Sequence, residues 1–273
     1  FRVVQYMNDY NKKSCILDMG DLMSENYRQT SIRYFFFNPI RIIYFVESLL
    51  VKRYENFCFN KFRKILLLSK KEIDSVGKKY KKKLIQISFG INNINKIYKF
   101  DKKNFKIIFI GNIKYAPNKN ACFEFADKIL PSINKIYPNI EFHIIGEISK
   151  IDKFLLKRKQ NVKILNKVKK LEPYLKNVIC GLANLNISTG IQTKLLTYMS
   201  YGIPSVCSKQ VAKNFDGIKE SKISYYSNNA HLIKIILKFK KNRGFSLSSS
   251  KRSLKTIKKF RWEKVLLVLN EFL

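Results

Sequence analysis

From Phe105 onward the chain repeats one pattern: a short apolar run, a polar turn, then a segment whose apolar residues recur at helical spacing. The run "FKIIFIG" is continuously apolar and ends in glycine, as a parallel strand buried on both faces does. In "NACFEFADKILPSINKIY" the residues Ala121, Phe125, Ile129 and Ile133 share one helical face. The series continues with "IEFHIIG", a polar helix, "NVKIL", a short helix near "EPYL", "VICGLANL", a helix opening at Gly190, "IPSVCS", "ISYYS" and the helix "AHLIKIILKFKK". Such alternation specifies an α/β fold with a doubly wound, mostly parallel sheet. Ligands of such sheets bind outside the carboxyl ends of the strands, which singles out the loops "GNIKYAPN" and "ANLNISTGIQTK".

The first hundred residues hold fewer pieces of the same kind: "CILDMG", a long helix from Asn38, "KILLLS", a lysine-rich helix and "LIQIS". These read as the second half of a Rossmann-like domain, in a chain that starts inside a longer protein or is processed. The asparagine-rich "GINNINKIYKFDKKN" serves as the linker. The expected division is a remainder of an N-terminal domain over 1–95, a second Rossmann-like domain over 96–258 and a C-terminal helix over 259–273 that can pack back on the first domain. "SLSSSKRS" near Phe245 reads as a loop or a helix start.

The long helix carries its own signals. Asn38 can cap it and Pro39 fits the first helical position. Ile42, Ile43, Val46, Leu49, Leu50 and Phe57 recur at helical spacing, which predicts a core-facing helix; the alternative is a helix lying on a membrane surface. Arg41, Glu47, Lys52 and Arg53 exclude it as a spanning segment.

A balance of 54 basic to 19 acidic residues gives a formal charge of +35, which favours anionic partners. Lysine is scattered through every segment together with isoleucine and asparagine, so compositional drift explains most of that total. "RYFFFNPIRIIYF" interleaves basic and aromatic residues but reads better as a core-seeking segment than as a base-stacking platform, so no nucleic acid is expected. The five cysteines are dispersed, without a C-x-x-C pair, and fit buried thiols of a cytoplasmic protein. His143, in an apolar run, reads as a core residue, and no metal site can be assembled by spacing.

"GIQTKLLTYMSYGIPSV" combines four signals in one strand-to-helix handover. Gly190 admits a ligand close to the backbone, and the first amides of the following helix point outward and favour an anion. Lys194 falls in the first turn, where the helix dipole disfavours a cation. An anion would neutralise it; otherwise the side chain reaches out to water. Leu195, Leu196 and Met199 point to the core, Gly202 suits a left-handed cap and Pro204 ends the helix.

The same segment resembles the donor-binding motif of the retaining glycosyltransferases called group 1 or family 4, small-Gly-x-x-x-Lys-x-Leu-Glu-Ala-Met-Ala-x-Gly-x-Pro-Val-Val. "FIGNIKYAPNKNACFEFADKILPSI" is similar to the opening of the nucleotide-binding domain in the branch with a Tyr-x-Pro-Asn loop. "PNIEFHIIG", "KKFRWEKVLLVLNEF", "ILDMGDLMSENYRQTS" and "ISFGIN" agree in order, so the likeness spans most of the chain from Cys15. The resemblance implies a GT-B fold, two Rossmann-like domains facing a cleft, with the N-terminal one incomplete here. It implies sugar transfer with retention from a nucleotide-diphosphate sugar to a glycan or lipid-linked acceptor, in surface polysaccharide synthesis, without metal or cofactor. The protein would be cytoplasmic, with peripheral contact to anionic membrane through basic runs such as "KKYKKK".

Carried over residue by residue, Gly190, Ile191 and Gln192 would offer backbone contacts to the donor and Lys194 would pair with the diphosphate. Gly111 and Asn112 would meet the phosphates from the other side, and Tyr115 to Asn118 would shape the cleft. Val168 falls where the family binds the nucleotide base. Three departures stand against the pattern. The first loop has Asn112 and Pro117 where many members have Arg and Lys; the Glu-x7-Glu motif reads Thr189 and Thr197; and no catalytic base can be named. Loss of the ribose-binding Glu at Thr197 weakens donor binding by about tenfold to thirtyfold. A non-catalytic partner of an active transferase is the alternative reading.

Overall fold

The computed structural model describes residues 2–8, 12–92, 97–188, 191–215 and 218–270. The chain divides into two compact units, one formed by Phe1–Phe89, Ile187–Ile191 and Val265–Leu273, the other by Gly90–Asn186 and Gln192–Lys264.

The first unit holds a three-stranded parallel sheet of β1 (Ile16–Gly20), β2 (Lys64–Leu67) and β3 (Leu84–Gln86), in that order. Helices α1 (Met23–Ser31), α2 (Pro39–Lys61) and α3 (Lys70–Ser75) connect them. Leu17, Met19, Cys58, Phe59, Phe62, Ile65 and Leu67 form its core. Asn38 caps α2 through the amide of Ile40, as the sequence predicts. At the other end Lys83 donates to the carbonyls of Phe59 and Asn60, a cation where the helix dipole favours one.

The face of α2 differs from the expectation. Ile42, Ile43, Val46, Leu49, Leu50 and Phe57 are exposed, and the helix buries Ser48, Glu55, Cys58 and Phe59 instead. The inward side carries Cys58 and Phe59, which join the core of the unit, and Glu55, whose carboxylate accepts from the amide and hydroxyl of Ser24 at the start of α1.

The second unit is built on six parallel strands: β4 (Lys106–Ile110), β5 (Glu141–Ile145), β6 (Val162–Leu165), β7 (Val178–Ala183), β8 (Ser205–Ser208) and β9 (Ser224–Tyr226). Their spatial order is β6-β5-β4-β7-β8-β9. The chain therefore winds outward one way from β4, returns, and winds the other way from β7. The reversal leaves a topological switch point between β4 and β7.

Helix α4 (Ala116–Glu124) continues through a π-turn at Phe125–Ile129 and a last stretch, Leu130–Asn134. Pro131 cannot donate in a regular ladder there, and the widened turn accommodates it. Ala121, Phe125, Ile129 and Ile133 are all buried, as their spacing predicts. Helices α5 (Lys150–Lys157), α6 (Thr193–Ser200), α7 (Asn229–Lys241) and α8 (Arg243–Ile257) complete the layer set. "SLSSSKRS" lies inside α8, the helix-start alternative and not the loop: Ser246, Ser249, Ser250 and Ser253 are buried, and the hydroxyls of Ser246, Ser249 and Ser253 donate to the carbonyls of Phe239, Lys222 and Ser221. His143 is a buried residue on β5, its ring nitrogen 2.6 Å from Glu141.

Candidate functional site

The carboxyl edge of the larger sheet collects most of the site residues expected from sequence. Gly111 and Asn112 follow β4, Val168 lies in the loop after β6, and Gln192, Lys194 and Thr197 belong to the cap and helix after β7. Gly190 and Thr189 lie outside the described residues. Ile191 is buried.

Helix α6 ends as its sequence requires. Gly202 adopts φ +71, its amide bonds the Met199 carbonyl, and the Ile203 amide reaches back to Tyr198, the paired bonds of a Schellman cap. At the other end Gln192 occupies the cap position without its side chain bonding a first-turn amide. Leu195, Leu196 and Met199 are fully buried.

Lys194 is also buried, at 6% exposure, which excludes the water-reaching conformation. Nor does it open onto a free surface, as the sequence reading expected of the helix tip. Its ammonium donates to Asn118 Oδ1 at 2.9 Å, lies 3.4 Å from Gln192 Oε1 and stands 4.7 Å from the centre of the Phe109 ring. Among the described residues no carboxylate pairs with it. Burial depresses its pKa to about 8. A buried cation in the first turn of a helix is unfavourable on two counts, desolvation and the dipole. A diphosphate oxygen about 4 Å away would contribute roughly 4 kcal/mol against those costs at an effective dielectric near 20.

The switch point is held tight around this lysine. The Tyr198 hydroxyl accepts from the Ile110 amide at 3.0 Å and donates to the Leu182 carbonyl at 3.0 Å, joining the ends of β4 and β7. Tyr198 stands where the family pattern has Ala, and Gly181 makes room for it: a Cβ there would lie 2.5 Å from the ring. Gly146, just past β5, has φ +148, and a Cβ on it would come within 1.8 Å of the Gly111 carbonyl oxygen. The two glycines extend adjacent strands, Gly111 donating to Ile145 and Gly146 to Leu165. Along the same edge Glu147 meets Lys114 at 3.6 Å and Lys167 at 3.7 Å, so the loops after β4, β5 and β6 carry a mainly basic rim.

Thr197 directs its hydroxyl to the Thr193 carbonyl of its own helix, 3.1 Å away. Val168 is half-buried. It lies beyond β6, two strands from β4 and so about 10 Å across the sheet. Asn118, Gly146, Gly181 and Tyr198 were not legible as a set, because each acts through a partner distant in sequence. The one shared sign was a glycine ending each of two apolar runs, "FIG" and "IIG".

Residues 104–235 match the family model Glycosyl transferases group 1. That segment contains the whole edge just described. Among solved structures the chain is similar to TarM, at TM-score 0.65 and 16% identity over 81% of this chain and 45% of that one. It is similar to sucrose-phosphate synthase from Thermosynechococcus elongatus, at TM-score 0.66 and 12% identity over 82% and 60%. It is also similar to Anabaena HepE solved with UDP and glucose, at TM-score 0.65 and 10% identity over 94% and 69%. The fold is of the GT-B type. Comparison with curated proteins gives no significant match. The chain spans 45% of TarM and 60% of sucrose-phosphate synthase, so it corresponds to part of these GT-B chains.

Proposed function

We propose that this chain carries the donor-binding unit of a glycosyltransferase that moves a sugar, with retention, from a nucleotide-diphosphate sugar to a glycan or lipid-linked acceptor. The observation that carries this reading is the buried Lys194 ammonium, placed at the switch point beside Gly111 with no carboxylate among the described residues to neutralise it. The likeness of its unit to the group 1 family model and to structures such as HepE with UDP supports it.

In the proposed reaction the bond from the anomeric carbon to the diphosphate breaks, and a bond to the acceptor oxygen forms on the same face of the sugar. The acceptor hydroxyl loses its proton, and negative charge develops on the departing diphosphate. Lys194 and the first-turn amides of α6 stabilise that charge where it appears. Gly111 lets the phosphates approach the loop backbone and Asn112 offers its amide, Gln192 and the backbone of Ile191 contact the donor, and Val168 borders the base. These residues supply the charge for the diphosphate, and the reaction is proposed to need no metal or cofactor. Surface polysaccharide synthesis and a cytoplasmic location belong to the same proposal.

Isothermal titration of the full chain with UDP- and GDP-sugars tests the reading, which no binding to any of them would overturn. Thr197→Glu offers a finer check. A carboxylate one turn beyond Lys194 would add a charged hydrogen bond to ribose, and UDP should bind up to about tenfold more tightly. An unchanged Kd would show that Thr197 does not face the nucleotide.

The exposed face of α2 favours a second element of this proposal, peripheral membrane contact. Ile42, Ile43, Phe45, Val46, Leu49 and Leu50 are exposed alongside Lys52 and Arg53, and the basic run Lys78–Lys83 packs near the end of the same helix. Among the described residues no helix is long and apolar enough to cross a membrane. Co-sedimentation with phosphatidylglycerol vesicles is expected, and Ile43→Glu with Leu50→Glu should abolish it. Equal recovery with neutral phosphatidylcholine vesicles would count against a charge-assisted surface.

A further inference from the structure

We propose that Asn118 is a positioning residue for the donor: a neutral carboxamide that aims the Lys194 ammonium while leaving its charge free for an anion. The inference rests on the reading that Lys194 receives the diphosphate. Asn118 is 7% exposed and sits in the first turn of α4, directly beneath the loop that follows β4. Both ends of its amide are engaged. Nδ2 donates to the Asn112 carbonyl at 2.8 Å, and Oδ1 accepts from Lys194 Nζ at 2.9 Å. Gly111 packs on the same group; a Cβ on it would come 3.1 Å from Asn118 Nδ2 and 3.5 Å from Lys194 Cε. One side chain thus ties the loop after β4 to the lysine after β7, across the switch point.

The chemistry of the amide matters as much as its place. An aspartate has the same shape but would form a buried ion pair with Lys194, satisfying the ammonium and repelling a phosphate. It would also lose the donor to the Asn112 carbonyl. The amide gives direction without opposite charge. The other groups around the ammonium are the Phe109 ring from β4, the Gln192 amide at the helix cap and the Cys122 thiol from α4, which burial keeps protonated. With no carboxylate among them, the lysine sits near pKa 8, and anion binding should fade as pH rises through that value.

Two measurements on the full chain test this: UDP affinity between pH 6 and 10, and the pKa of Lys194 followed by NMR of its 13Cε. Wild type should lose UDP affinity with a midpoint near pH 8. Asn118→Asp should bind UDP at least tenfold more weakly at pH 7 and move the Lys194 titration upward by a unit or more. Asn118→Ala should weaken UDP several-fold and leave the Lys194 titration at or below its wild-type position. A merely structural asparagine would change the melting temperature of both variants without moving the lysine titration, and that result overturns the proposal. If Lys194→Met abolishes UDP binding while both Asn118 variants bind as wild type, the donor site stands and the role of Asn118 falls. If wild type ignores UDP, GDP and inorganic pyrophosphate alike, the donor reading and this role fall together.

Discussion

Lys194→Met should lower UDP-sugar affinity and transfer by about a hundredfold or more while making the ligand-free chain more stable. The loss follows from removing a preorganised positive group from the departing diphosphate, for which 2.7–4 kcal/mol is a typical cost (roughly 10²- to 10³-fold). The gain in stability follows from linkage. Lys194 titrates near 8 in the folded chain and near its ordinary 10.5 when unfolded. Between those values the unfolded state binds more protons, so wild-type stability rises with pH from about 8 to 10.5. Below pH 8 the buried cation is a net cost, on the order of 3 kcal/mol, which methionine of similar length removes. Urea unfolding at pH 7 and pH 10 checks this: the variant should exceed wild type at pH 7 and match it more closely at pH 10. Loss of binding together with loss of stability would mean that the lysine is structural. Opposite signs on the two measurements are the mark of a group retained for a ligand.

Gly146→Ala should be the most disruptive single methyl in the second unit. Its Cβ would meet the Gly111 carbonyl oxygen at 1.8 Å and the carbonyl carbon at 2.8 Å, both backbone atoms that cannot rotate away. The φ of +148 adds strain that any residue with a Cβ incurs. Either β5 separates from β4 or the Gly111 loop is displaced from Lys194. Denaturant unfolding should show a loss of about 3 kcal/mol or more, and the fraction that remains folded should bind UDP poorly. Gly77→Ala is the matched control: nothing lies within 4 Å of a Cβ there, and stability should stay within about 0.5 kcal/mol of wild type. Wild-type stability in Gly146→Ala would mean that the two strand ends do not meet as closely as described.

The elements of the fold were legible because their causes are local. "FKIIFIG" makes β4 since its consecutive apolar residues Ile107, Ile108 and Phe109 suit a strand covered on both faces, and Asn38 or Gly202 closes a helix with bonds to residues a few positions away. The position of Lys194 in a first turn was readable for the same reason. Periodicity failed at α2. Six apolar residues on a regular spacing mark a face but do not say whether anything covers it; the side that packs inward carries Cys58, Phe59 and the hydrogen-bonded Glu55. The serines of α8 left a loop and a helix start both open in the sequence, and the helix beginning at Arg243 decided for the second.

The amino-acid order alone determined that a parallel α/β unit forms, the order in which its strands and helices alternate, and that a lysine opens the helix after β7. Only the tertiary structure decided that this lysine is buried, that Asn118 from 76 residues away holds it, and that Tyr198 fits against Gly181 while Gly146 meets Gly111. Hydrogen bonding and backbone preference act over a few residues and can be read along the chain. Desolvation and steric contact depend on which strands become neighbours, and the reversal of winding between β4 and β7 brings those groups together.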